Sequence, residues 1–230
     1  MIQVAVPNLG NYTIALAASV ESLGTTPWCS ATTPEIMKLG CEAAPESACI
    51  PFKACLGHFI KAADDGVKYG VIVNSIGTCR LKYYRALQQH IINTQQRDIY
   101  IFGLGYDGFK PPLIRHFDPS LPTFIKGVAR AAWKMQVVDS IEINAWQTRP
   151  CENRTGDTSR LMATCLHELE NMRRIKDIKK LARTIPQRFA SIPVTTREEP
   201  LKVALIGEAS VLRDKYLNHN VEDLLGRLGV

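Results

Sequence analysis

Two thiols pose the chemical question in this 230-residue chain. Cys49 stands in the run Ser47-Ala-Cys49-Ile-Pro51-Phe-Lys53-Ala-Cys55-Leu-Gly57-His58, and Cys79 follows about one strand later in Gly77-Thr-Cys79-Arg80-Leu-Lys-Tyr83-Tyr84. Both sit at turns. Cys49 comes just before a helix opened by Pro51, and Cys79 falls between a strand and a helix starting near Arg80. A cysteine at a helix N-terminus faces partial positive charge from unpaired backbone N–H groups, which favours thiolate, the form that binds iron or zinc. Lys53 and Arg80 flank the two sulfurs, where a cation would stabilise thiolates or an anionic cluster; ordinary helix-surface charge explains them equally well.

The remaining candidates are weaker. Cys151, in Arg149-Pro150-Cys151-Glu152, follows a helical block and could supply a third thiolate. Cys55 lies six residues after Cys49, Cys29 ends a short strand, and Cys41 and Cys165 read as core. His58 reads as a satisfied histidine on a helix, and Tyr83 and Tyr84 as packing residues. Gly103-Leu-Gly105-Tyr-Asp-Gly108 matches the dinucleotide fingerprint by letter. The Pro111-Pro112 that follows cannot open the helix whose N-terminus would hold a pyrophosphate, so nucleotide binding is set aside there.

The elements that would position these thiols follow from periodicity. Ile2–Val6 reads as a strand, Tyr12–Leu23 as a helix, Trp28 and Cys29 as a short strand, and Glu35–Leu39 as a helix opened by Thr33-Pro34 and stopped by Gly40. Pro51–Gly66 is then a helix, Val67–Asn74 a buried strand, Arg80–Ile92 an amphipathic helix and Asp98–Leu104 another buried strand. Strands alternating with helices predict an α/β fold with a parallel sheet flanked by helices, Rossmann- or flavodoxin-like. Ligands of such sheets bind outside the carboxyl ends of the strands, so Cys49 and Cys79 are expected to face one site. Residues 1–121 form this α/β domain, 122–188 a helical block and 189–200 a linker, the linker character beginning at Pro186. Residues 201–230 read as a strand over Leu201–Gly207 and a helix over Asn220–Leu228, the start of a second α/β unit.

The cysteine motifs resemble the 2-hydroxyacyl-CoA dehydratase component family, especially its activase-related members. The likeness extends to Val4-Ala-Val-Pro7, Leu23-Gly24, Arg149-Pro150 and Gly207-Glu208. It implies a cysteine-ligated iron–sulfur cluster, [4Fe–4S] or double-cubane, with Cys49 and Cys79 at ligand positions. It also implies an ATP-dependent activase, itself an iron–sulfur protein, as electron donor, and an acyl-CoA-like small molecule as substrate. Family members continue into a second α/β domain with further cysteine ligands, so a companion chain or a homo-oligomer would complete the site. The other readings of the same residues are a non-catalytic scaffold or regulatory module with structural or zinc-binding cysteines, or an inactive fragment of a longer protein.

Composition narrows the rest. No run approaches about 18 apolar residues and no leader-like segment opens the chain, so a cytoplasmic protein with no membrane contact is expected. Seven cysteines at irregular spacing argue for reduced thiols. The net charge of +6 is concentrated in Arg173, Arg174, Lys176, Lys179, Lys180, Arg183 and Arg188, interleaved with Ile175, Ile178, Leu181 and Ile185. A solvated helix face accounts for this most simply, an acidic partner next, and nucleic acid is the least favoured reading.

Overall fold

The computed structural model describes residues 1–73, 79–104, 112–195 and 201–230, which fall into two compact units, Met1–Val128 and Ala129–Val230. In the first unit four strands, β1 (Gln3–Val6), β2 (Thr26–Cys29), β3 (Tyr69–Val73) and β4 (Tyr100–Leu104), form one sheet in the order β2-β1-β3-β4. Every pairing is parallel, with Ala5 beside Trp28 and Gly70, and Val71 beside Phe102. The chain is thus an α/β protein of the expected Rossmann-like kind.

Helices cover both faces of this sheet because its strands are apolar on both sides. The helices of the unit are α1 (Thr13–Glu21), α2 (Pro34–Ala43), α3 (Ile50–Asp64), α4 (Tyr84–Thr94) and the six-residue α5 (Pro112–Phe117). Ala5, Ile72 and Ile101 point to one face, where Phe52, Leu56, Phe59 and Ile60 of α3 and Tyr84 and Ile92 of α4 bury them. Val4, Val6, Val71 and Phe102 point to the other, against Val20 of α1 and Leu113 of α5. The alternation is the two-residue period of a strand.

Two expectations change here. Gly40 does not stop α2, which runs on to Ala43. The glycine is needed for contact instead: a Cβ on Gly40 would lie 1.9 Å from the Lys53 carbonyl oxygen, and one on Gly57 2.0 Å from the Ile36 carbonyl oxygen. Backbones of α2 and α3 therefore touch directly. Cys41, expected in the core, is exposed on α2. The dinucleotide-like segment 105–110 and Pro111 lie outside the described residues, while Pro112 begins α5.

α6 (Leu121–Thr148) starts in the first unit and continues into the second. The second unit adds a 3-10 turn over Arg149–Cys151, α7 (Asp157–Asn171), α8 (Ile175–Ala190), α9 (Ala209–Arg213) and α10 (Val221–Arg227). α7 and α8 are separated by residues 172–174. Pro186 does not begin a linker; it lies inside α8, where buried Ile185 and Phe189 hold the last turns despite the missing N–H. Residues 196–200 of the expected linker lie outside the described residues. Leu201–Gly207 is neither strand nor helix, and Leu201, Val203 and Ile206 are exposed. A β-rich sequence forms a strand only beside another, and no described strand pairs with this one.

Asp223 is the electrostatic centre of this unit. Its Oδ1 stands 3.1 Å from Arg149 Nε without the alignment of a hydrogen bond, and its Oδ2 stands 2.7 Å from Arg227 Nη2. Ser159 Oγ donates to Oδ1 at 2.9 Å. Burial pushes the Asp223 carboxyl up, but Ser159, Arg149 and Arg227 more than offset it and hold the pKa below the usual carboxylate value. A depressed folded-state pKa gives stability that is present above the unfolded value near 4 and lost as pH falls through the folded one. Thermal melts taken from about pH 5 down to pH 2 are therefore expected to show a steeper acid loss for the wild type than for Asp223→Asn. Parallel losses in the two proteins would show that Asp223 carries no such linkage.

Among the described residues, no helix is long and apolar enough to cross a membrane.

Candidate metal centre

α3 delivers Cys49. A helix that feeds the start of β3 must run antiparallel to it, so the N-terminus of α3 lies toward the carboxyl end of the sheet. Cys49 is the N-cap residue, extended at φ −70° and ψ 157°, and Pro51 sits in the first turn, where its missing N–H costs nothing. Cys79 comes after β3 and caps the 3-10 turn Arg80–Tyr83, its sulfur accepting a hydrogen bond from Leu81 N at 3.5 Å. The two thiols therefore arrive from opposite directions at the same end of the sheet.

Tyr84, the first residue of α4, meets Cys49. Its ring is buried and packs edge-on against Phe52 at 5.0 Å and 87°. Its hydroxyl shares a short hydrogen bond with the Cys49 thiol. Burial, then the bond to Cys49, then the negative charges of Cys49, Cys55 and Cys79 push the Tyr84 phenol well above its ordinary value. Gln88, one turn along α4, donates to the Phe52 carbonyl at 3.1 Å and fastens α4 to α3 beneath the pair.

A cleft of about 170 Å³ opens here, lined by Cys49, Phe52, Arg80, Tyr83 and Tyr84 with the loop around Ser47. Arg80 is exposed at its rim. Lys53 is turned elsewhere: its Nζ donates to the Glu46 carbonyl at 3.2 Å and braces the loop that leads to Cys49. His58 is buried and its Nε2 shares a hydrogen bond with Thr32 Oγ1 at 3.0 Å.

No protein-family profile, curated protein or solved structure matches this chain. The site must be judged on its own residues.

Cys49 lines the cleft, Cys79 is exposed and directly precedes the rim residue Arg80, and Cys55 is half-buried on α3. Cys29 is exposed at the end of β2, and Cys165 is fully buried, where burial pushes its thiol up against the opposing pull of Arg188. Cys151 belongs to the second unit, in the 3-10 turn after α6. Gly77 and Thr78 of the Cys79 motif lie outside the described residues. Among the described residues, no three His, Cys, Asp or Glu side chains gather as a metal ion requires. A [4Fe–4S] cube takes four ligands. Cys49 in the cleft and Cys79 beside Arg80 make at most a partial set, with a phenol bonded to the Cys49 sulfur.

Sequence reasoning overlooked Tyr84 as part of the site. The available signal was its place five residues after Cys79, at the first position of a helix, where a side chain reaches back over the preceding turn.

Proposed function

We propose that Cys49 and Cys79 are thiolate ligands of an iron–sulfur cluster, in a protein of the 2-hydroxyacyl-CoA dehydratase type that works with an ATP-dependent activase. The observation that carries this reading is the Cys49 thiol, hydrogen-bonded to Tyr84 in a cleft that is also lined by Arg80, the residue after Cys79. When bound, such a cluster supplies low-potential electron transfer to an otherwise inert, acyl-CoA-like substrate.

The chain's own residues have definable parts in this reading. Cys49 and Cys79 would hold iron, and a complete cluster would need further ligands besides these two. Tyr84 donates a hydrogen bond to the Cys49 sulfur, which lowers the electron density there, and Arg80 places positive charge beside the reduced, anionic state. Phe52 and the ring of Tyr84 keep water from the inner wall of the cleft.

A second reading has one observation in its favour: with only two thiols at the rim, Cys49 satisfied by Tyr84 serves equally as a structural residue of a non-catalytic scaffold. The spectrum separates the two. Anaerobic reconstitution with iron and sulfide is expected to give broad visible absorbance that bleaches with dithionite. Colourless protein that takes up zinc but forms no iron chromophore would support the scaffold and remove the redox proposal.

A further inference from the structure

The cations of α8 occupy one side of the helix. On α8 Lys176, Lys180 and Arg183 recur at spacings of four and three residues, which align them on a single face, with Lys179 beside them; Arg173 precedes the helix. All five are exposed. Ile178, Leu181, Ile185 and Phe189 form the opposite stripe and are buried. Six cations from Arg173 to Arg183 meet one acid, Asp177, which stands 3.9 Å from Arg174. Lys179 lies over the half-buried Trp133 ring at 4.5 Å. Among the described residues, Lys176, Lys180 and Arg183 have no acidic partner within ion-pair distance.

This arrangement works against the helix by itself. Lys176 with Lys179 and Lys180, and Arg183 with Lys179 and Lys180, are like charges three or four residues apart, where each pair destabilises a helix. A bound polyanion adds attractions that offset all four repulsions.

We propose that the exposed face of α8 binds the phosphodiester backbone of a nucleic acid. From Lys176 to Arg183 the stripe runs over about 10 Å at 1.5 Å per residue, long enough to meet successive phosphates. Its chemistry selects this occupant over two others. An anionic membrane surface is gripped by helices that also insert apolar side chains, and here the apolar stripe faces the opposite way and is already buried. A protein interface needs an apolar or aromatic centre and is depleted in lysine there, whereas this face is lysine and arginine throughout. From the sequence alone nucleic acid was the least favoured partner; the alignment of the cations directly opposite the buried stripe is what changes that weighting.

The test is the affinity of the full chain for fluorescein-labelled oligonucleotides of about 20 nucleotides, single-stranded and duplex, across a range of salt. With about four phosphates contacted, the slope of log K against log salt is expected near −3 to −4. Combining Lys176→Glu, Lys180→Glu and Arg183→Glu is expected to weaken binding about 100-fold at low salt and flatten the slope to about −1. The matching glutamine variant should give the same flattening with a smaller loss. A control of equal charge change, Lys38→Glu, Lys68→Glu and Lys202→Glu, should stay within about threefold of the wild type. Circular dichroism checks that each variant is folded. Equal losses in the control, tighter binding of polyglutamate than of either oligonucleotide, or no binding by the wild type would each overturn the proposal.

Discussion

Replacing Gly57 with valine is expected to cost about 3 kcal/mol of stability, more than any surface change in the first unit. The reason is the crossing of α2 and α3. A Cβ at this position would lie 2.0 Å from the Ile36 carbonyl oxygen, and backbone atoms on a packed helix cannot step aside as a flexible side chain can. Alanine brings the same Cβ, and its better helix propensity returns only about 1 kcal/mol, so Gly57→Ala should also be destabilising. Gly40→Ala should behave alike, its Cβ meeting the Lys53 carbonyl oxygen at 1.9 Å. Urea denaturation followed by circular dichroism measures this directly. A midpoint unchanged in both alanine variants would show that the helices do not touch backbone to backbone. The consequence reaches the site, because α3 carries Cys49 and Phe52 at its start; a variant that stays folded with α3 displaced should also lose the Cys49–Tyr84 contact.

Asp223→Ala carries the second large effect, about 3–5 kcal/mol in the second unit. Arg149 has a side chain only 6% exposed, and Gly226 packs so tightly on it that a Cβ there would fall 2.4 Å from Arg149 Cδ. Removal of the carboxylate would leave that guanidinium buried with the Met162 sulfur at 3.7 Å as a weak acceptor. Breaking one side of a buried pair costs far more than the pair contributes in net terms, because the remaining charge stays desolvated. The same carboxylate ties together the 3-10 turn, α7 through Ser159 and α10. A loss below about 1 kcal/mol would mean that Arg149 finds water when Asp223 is gone.

The strands and the principal helices could be read from sequence because their periodicities are strong. Val4, Val6 and Ala5 alternate as a two-faced strand must, and Ile178, Leu181, Ile185 and Phe189 mark one face of a helix. What failed was punctuation. Gly40 carries the signal of a helix stop, yet its lack of a side chain serves a neighbouring backbone, a tertiary need invisible to local propensity. Pro186 resembles a boundary, and tertiary packing of Phe189 overrode it. Leu201–Gly207 has strand composition and no partner among the described strands, so composition alone could not make it one. At the site, the thiols were legible because cysteine beside proline at a helix start and cysteine after a strand are local patterns. Tyr84 was not, because its contact with Cys49 joins residues 35 positions apart.

The central claim is that two sulfurs at this rim hold iron. Iron and acid-labile sulfide per chain, measured after anaerobic reconstitution, should fall sharply in both Cys49→Ser and Cys79→Ser relative to the wild type, while Cys165→Ser, changed at a buried core position, keeps its iron. Wild-type iron content in both the Cys49 and the Cys79 variants would contradict the assignment.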